Sequence, residues 1–291
     1  MAARGRRRRA VGGGPVIVLA LESATDLVGA ALLGDVPPQP AATETGGRRH
    51  AEALAPAVHQ VCGDAGVALS AVDVIAVDVG PGLFTGLRVG VATAKALGQG
   101  LGIGVVAVGS LDILARAAVE RRPGDSPCQL IAVVDARRSE VFAARYRFDG
   151  GAPSDWDPAG HEVSPPARFE PRALVEDLAR MVAETEPGDE GGAAGPLVLV
   201  GDGVARYRDL FDKLNRVETL PGDPLLAPPP ETLARLASLR LQRGADPSDP
   251  AAVLPSYLRE ADAAINWEQR APVAVNGRRT SGSVAARGRP S

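Results

Sequence analysis

The sequence predicts an α/β protein built of two related lobes. Three observations carry this expectation. Short apolar runs that read as buried strands, at residues 16–21, 72–79, 130–134 and 197–200, alternate with stretches of helical period. A hairpin-first unit occurs twice: 17–22 and 130–135 each end on an acid, cross a short polar turn and return as a second strand. The chain has 291 residues, enough for one or two domains, and is 45% apolar but only 3% aromatic, so its core is made of Ala, Val and Leu.

The elements follow in order. Residues 16–21 read as a strand, Glu22-Ser23-Ala24-Thr25-Asp26 as a polar turn, and 27–33 as the returning strand. Residues 34–47, rich in Pro, Gly and Thr, read as loop or edge. A helix is predicted over 48–62, with Leu54, Val58, Val61 and Cys62 at i, i+4, i+7 and i+8, ended by Gly63 and Gly66. The apolar run 72–79 feeds a glycine-rich turn, and a helix is predicted over 89–101. Its Gly90, Ala92, Ala94, Ala96 and Gly98 let another backbone approach closely. A short strand over 104–108 leads to Ser110, which reads as the N-cap of a helix over 111–120. The second unit brings a strand (130–134), a polar turn (135–140) and a strand (141–148). A Pro- and Gly-rich stretch (150–166), a helix (171–184) and a loop (186–196) come next. A strand over 197–200 then runs into Gly201-Asp202-Gly203. A late helix (231–241) and a linker-like stretch (246–255) follow, and Pro255-Ser256-Tyr257-Leu258-Arg259 closes the ordered part. The expected division is a basic tail (1–14), a first lobe (15–109), a second lobe (110–262) and a second basic tail (263–291). Two such lobes facing each other make a cleft, the usual place for a ligand.

Charge is unevenly placed. Residues 1–10 and 270–291 hold five arginines each and no acid. Without those ten, 22 basic residues stand against 35 acids, so the body is near −13 and is a poor nucleic-acid surface on its own. The tails lack apolar periodicity and read as disordered, solvated ends. The apolar run after the first arginines is broken at Glu22, too short for a signal-peptide core, and no run approaches the ~20 residues of a membrane span. Cys62 and Cys128 lie in or beside apolar runs without C-x-x-C spacing, which reads as two free thiols in a reducing cytoplasm.

The segment Gly80-Pro81-Gly82-Leu83-Phe84-Thr85-Gly86-Leu87-Arg88-Val89-Gly90 is the strongest motif. Strand, glycine turn and helix together point backbone N–H groups at an anion. A Walker loop is excluded because Leu87 and Arg88 follow Gly86, and the dinucleotide fingerprint fails because its third glycine comes one residue late. The other reading is a tight turn with close packing. In the hairpin turns, Glu22, Ser23, Thr25 and Asp135 are candidates to hold a phosphate or a metal, against the plain reading that turns are made of acids and hydroxyls. His50 and His59 lie half a turn apart on one helix and cannot share an ion, and His161 falls in a loop-rich stretch. No G-x-S-x-G elbow is present. Spacing assembles no catalytic set.

Five blocks, in order over residues 15–262, resemble the bacterial TsaB (YeaZ) family. They are Val18-Leu19-Ala20-Leu21-Glu22-Ser23-Ala24-Thr25, Arg49-His50-Ala51-Glu52-Ala53-Leu54-Ala55-Pro56, the glycine turn, Val134-Asp135-Ala136-Arg137-Arg138-Ser139-Glu140-Val141-Phe142 and Pro255-Ser256-Tyr257-Leu258-Arg259. The signature turn comprises Gly80, Pro81, Gly82, Phe84, Thr85, Gly86 and Arg88. The resemblance implies two lobes of the actin/Hsp70/sugar-kinase type. It implies a cytoplasmic, non-catalytic dimerisation subunit without a cofactor of its own, whose partner is TsaD, with TsaE as a third protein. The complex threonylcarbamoylates the adenosine next to the anticodon of tRNAs that read A-starting codons, so tRNA is met only through the complex. TsaD carries the iron site in an H-x-x-x-H motif, which this chain lacks. The resemblance places partner docking on the helix after the first hairpin and the helix after the glycine turn, at Arg48, His50, Leu54, Val58, Val61, Arg88, Val89, Ala92 and Leu97. A homodimer uses the same surface when the partner is absent. Glu22 stands where the family usually has Asp, and the stretches 150–166 and 186–196 and both tails are extra.

Two other functions compete. A stand-alone nucleotide hydrolase or glycoprotease-like enzyme would rest on Glu22, Thr25, Asp135 and the glycine turn. An RNA-binding module would rest on the arginine tails.

Overall fold

Two five-stranded sheets with the same strand order form the molecule. The computed structural model describes residues 16–44, 50–184, 195–218, 220–222 and 225–258. The first sheet contains β1 (Val18–Glu22), β2 (Leu27–Gly34), β3 (Val36–Glu44), β4 (Val74–Asp78) and β5 (Val105–Val108) in the order β3-β2-β1-β4-β5. The second contains β6 (Cys128–Arg137), β7 (Glu140–Phe148), β8 (Glu162–Phe169), β9 (Leu197–Val200) and β10 (Val217–Glu218) in the order β10-β9-β6-β7-β8. In each, an antiparallel hairpin is extended by a third antiparallel strand on one side and by parallel strands on the other. The shared strand order bears out the expected pair of related α/β lobes. β1 and β4 are buried at every residue because helices cover both faces of the parallel part.

Helices α1 (His50–Asp64) and α2 (Phe84–Leu101) cover the outer face of the first sheet, where Leu54, Val61, Val91 and Ala94 join Leu19, Leu21, Ile75 and Val77. The inner face receives α7 (Pro230–Gln242), whose Leu233, Ala234, Leu236 and Ala237 pack on Val18, Ala20, Val74 and Ala76. α3 (Ser110–Arg121) lies beside α7 and packs Leu111, Leu114 and Ala118 on Leu130, Ala132 and Val134 of the second sheet. α4 (Pro171–Glu184), α5 (Asp202–Arg206) and α6 (Arg208–Phe211) lie along the other face of that sheet with Ile131 and Val133. Each fully buried Leu, Ile or Val contributes about 1.5–3 kcal/mol.

α3 and α7 are tied by charge. Arg116, 2% exposed, bonds Glu120 at 2.8 Å and the carbonyls of Ser154 and Trp156, and Arg235 bonds the other side of Glu120. Arg240 bonds both Asp157 and Asp112, and Asp112 also accepts from Tyr146.

Several elements differ from expectation. α2 starts at Phe84, not at residue 89, because the turn needs only residues 79–83. Ser110 does not cap α3; Gly109 is the N-cap, and the Ser110 hydroxyl donates to Asp78 Oδ1 at 2.6 Å. Residues 34–47, expected as loop or edge, supply the edge strand β3, with 45–49 outside the described residues. The stretch 150–166 is a loop only to residue 161. It then enters β8, another edge, where the ladder slips beside Pro165 and Pro166, which have no N–H to donate. The turn expected over 135–140 is tighter, because positive φ at Arg137, Arg138 and Ser139 reverses the chain at once. The linker-like 246–255 is a packed strap: Ser248 bridges Val105, Pro247 and Pro250 press on Gly104 and Gly98, and Val253 enters the core. Of the loop 186–196, residues up to 194 lie outside the described residues, as do both basic tails.

Candidate functional site

The first hairpin turn and the glycine turn are interlocked. Ser23 Oγ donates to Gly86 O at 2.9 Å, and Leu83 N donates to Ala24 O at 2.6 Å. His50 Nε2 donates to Thr25 O at 2.7 Å. A Cβ at Gly82, Gly86 or Gly90 would overlap Ala24 O, Ser23 O and Ser23 Oγ respectively. Gly80 N is taken by Asp78 Oδ1 at 2.7 Å. These glycines therefore serve close approach of two backbones, and the Gly80 and Leu83 amides are occupied within the protein. Glu22, at the end of β1, is fully buried; burial first, then the Asp78 charge, hold its carboxyl well above the usual range.

The second turn is saturated differently. Asp135 Oδ1 accepts from Arg137 N, and its Oδ2 pairs with Arg137 Nη1, both at 3.0 Å. Asp202 Oδ1 accepts from Asp135 N at 2.8 Å, and burial pushes the Asp202 carboxyl up to about 6. Arg137 Nη2 reaches Asp26 Oδ2 of the first turn at 2.8 Å. The guanidinium thus joins the two hairpin turns. Glu22 and Asp135 do not converge on a common point: one faces Asp78 and the other is paired with Arg137. Thr25 Oγ1 accepts from Leu27 N. Among the described residues no group of three His, Cys, Asp or Glu could hold a metal ion.

The outer helices offer the open surface. Ala51, Glu52, Ala55, Pro56 and His59 of α1 are exposed, as are Thr85, Arg88, Ala92 and Ala96 of α2. Between the helices lies an apolar groove of about 580 Å³, lined by Ala55, Val58, His59, Cys62, Leu69, Thr93 and Leu97 among others. At the start of α2 the Arg88 guanidinium lies 3.7 Å above the Phe84 ring, Phe84 packs on Tyr257 at 5.3 Å, and Arg88 Nε donates to Tyr257 Oη at 3.1 Å. The signature turn and the block 255–259 thereby meet in one exposed cluster, with Phe84 and Tyr257 each 44% exposed.

The fold and motif order have counterparts among known proteins. A family model described as TsaD: tRNA N6-adenosine threonylcarbamoyltransferase matches residues 38–267. The structure of YeaZ from Pseudomonas aeruginosa superposes with a TM-score of 0.62 at 28% identity, over 84% of this chain and all of that one. The Bacillus subtilis tRNA threonylcarbamoyladenosine biosynthesis protein TsaB is 26% identical over 221 residues, 76% of this chain and 84% of that protein. The chain belongs to this family, within its TsaB (YeaZ) group. An uncharacterised Mycobacterium leprae protein is 41% identical over 49% of the chain. The match spans 40% of that protein and 58% of a Mycobacterium tuberculosis relative, so this chain spans about half the length of these curated relatives.

Within the TsaB-type fold, the residues singled out for docking divide. Arg48 lies outside the described residues. His50, Leu54 and Val61 are 2%, 1% and 1% exposed and face the chain's own interior, while Val58 borders the groove. Arg88 and Ala92 are exposed, and Val89 and Leu97 half-buried. The apolar stripe of an amphipathic helix covers its own sheet first. The exposed residues Ala55, Pro56 and His59 stand outside the expected set, because nothing in their type distinguishes them in the sequence. Their place opposite the Leu54–Val58–Val61 stripe was the signal available.

Proposed function

We propose that the chain is a non-catalytic scaffold and activating subunit that binds TsaD, with TsaE as a third component, for threonylcarbamoylation of the adenosine next to the anticodon of tRNAs reading A-starting codons. Membership of the TsaB group supports the pathway, since relatives in it are named for tRNA threonylcarbamoyladenosine biosynthesis. The observation that carries the scaffold role is the contrast between two regions. The hairpin turns have Asp135, Thr25 O and Ala24 O engaged by Arg137, His50 and the glycine turn and keep Glu22 buried beside Asp78, whereas the α1–α2 face leaves small side chains exposed around an apolar groove. Small residues let a partner helix approach closely, and a groove lined by Val58, Leu69 and Leu97 receives its apolar side chains.

The docking residues in this proposal are Ala55, Val58, His59, Arg88, Val89, Ala92 and Leu97. Leu54 and Val61 support the face from beneath. A second copy of the chain takes the same face when TsaD is absent. The two lobes divide near residues 109 and 110, with α7 returning to the first. The proposal places the protein in the cytoplasm, with tRNA met through the assembled complex and no cofactor of its own; among the described residues no helix is long and apolar enough to cross a membrane.

The test is co-elution of the purified chain with TsaD from the same organism, for wild type, Ala55→Glu and Ala92→Glu. The wild type forms a complex and both variants fail to, while keeping the wild-type melting temperature. ATP or casein hydrolysis by the lone chain, abolished by Asp135→Ala, would replace this reading with an enzymatic one.

A further inference from the structure

Glu22 and Asp78 end the parallel neighbours β1 and β4 and are 0% and 1% exposed. Each has one satisfied oxygen. Glu22 Oε1 accepts from Ala24 N at 2.7 Å; Asp78 Oδ1 accepts from Gly80 N at 2.7 Å and from Ser110 Oγ at 2.6 Å. Each also has one buried oxygen, Glu22 Oε2 and Asp78 Oδ2, that receives no donor. Leu21 pairs with Val77 in the parallel register, so the residues that follow, Glu22 and Asp78, stand side by side at the strand ends and act on each other, and among the described residues no Lys, Arg or His forms an ion pair with either. Two buried carboxylates side by side would lose their solvation and repel each other. One proton between the orphaned oxygens removes both penalties.

We propose that Glu22 and Asp78 share a single proton at neutral pH, and that this carboxyl–carboxylate bond positions the first hairpin turn against the signature turn. Glu22 is followed by Ser23 and Ala24, whose carbonyls meet Gly86 and Gly82; Asp78 holds Gly80 N and, through Ser110, the start of α3. The bond therefore pins the point from which α2 leaves the sheet. The surrounding ionisable groups do not compete for it. Asp112 on α3 acts on Asp78 but is itself held by Arg240 of α7 and Tyr146 of β7. Glu162 of β8 acts on Asp112. His50 of α1 donates to Thr25 O, and Arg88 of α2 points out to Tyr257. Burial raises both carboxyl groups of the pair, which titrates as a unit. The folded chain thus keeps a proton that the unfolded chain releases above the ordinary glutamate value of 4.5, so stability falls as pH rises from there through the raised value.

Glu22→Gln supplies an N–H donor in place of the proton and removes the titration. In the full chain, the wild-type melting temperature falls by at least about 2 °C between about pH 5 and pH 9, and Glu22→Gln shows a flatter profile. Infrared spectra of the wild type at neutral pH show a protonated carboxyl C=O band that is absent from Glu22→Gln and Asp78→Asn and disappears from the wild type at alkaline pH. If neither variant folds, the wild-type band and its loss with pH decide alone. A wild type without that band at neutral pH, or a Glu22→Gln profile parallel to wild type, overturns the proposal.

Discussion

Gly86 and Gly100 lie on the same helix and have opposite fates on substitution. A Cβ at Gly86 overlaps Ser23 O and presses on the His50 ring, whereas a Cβ at Gly100 meets nothing within 4 Å. Gly86→Ala is expected to destabilise the chain by about 1–3 kcal/mol through forced displacement of the first turn. Gly100→Ala is expected to stabilise it by about 0.5–1 kcal/mol, the ordinary gain of Ala over Gly in a helix. Urea unfolding of both variants checks the pair. Asp202 gives a second test at this scale. Burial raises its carboxyl from 3.8 to about 6, so the folded state holds its proton longer than the unfolded one. Its contribution is present below 3.8 and is lost as pH rises through about 6. Asp202→Asn, a neutral stand-in for the protonated acid, should flatten the stability profile across that window by leaving the acid end near wild type and raising the alkaline end above it, as thermal melts at fixed ionic strength would show.

At the scale of elements, the two faces of α1 do different work. Leu54 packs among Leu19, Leu21, Val28 and Val77, so Leu54→Ala should cost about 2–5 kcal/mol through the cavity it leaves. Ala55, one residue on, faces the groove, and Ala55→Glu should change stability by less than about 0.5 kcal/mol. Chemical denaturation separates the two, and only the second is a clean probe of docking. α3 makes a comparable case: Glu120→Ala leaves Arg116 buried with its charge unpaired, at an expected cost of about 3–5 kcal/mol. Helix α1 itself was legible in the sequence because its apolar residues recur at helical period, and β1, β4, β6 and β9 because they are continuous apolar runs. Which way each face of α1 turns was not legible, since a stripe suited to a core and one suited to a partner carry the same residue types. Ser110 misled for a related reason: the residue that caps helices elsewhere here finds a buried carboxylate one strand away. The glycine turn reads in the sequence as close packing sooner than as an anion cradle, and the approach of Ser23 and Ala24, about sixty residues upstream in the chain, decides for packing at the Gly82, Gly86 and Gly90 positions.

The whole molecule depends on a return that no local pattern announces. The duplicated hairpins made two lobes legible, and the shared strand order bears this out. α7, reached only after the second sheet is complete, packs back on β1, β2, β4 and β5 of the first. A chain ending before residue 230 would expose Val18, Ala20, Val74 and Ala76, and is expected to lose cooperative thermal unfolding altogether, a loss that calorimetry would register. With α3 and α7 in place, the inner faces of both sheets are filled, and the outer α1–α2 face stays exposed, as the proposed docking requires. The most direct measurement is size-exclusion chromatography with light scattering of the full chain mixed with TsaD, run beside Ala92→Glu. The docking account predicts a joint peak at the summed mass for wild type and two separate peaks for the variant, with equal melting temperatures for the two forms of the chain. Separate peaks for the wild type, or a joint peak that survives Ala92→Glu, would contradict it.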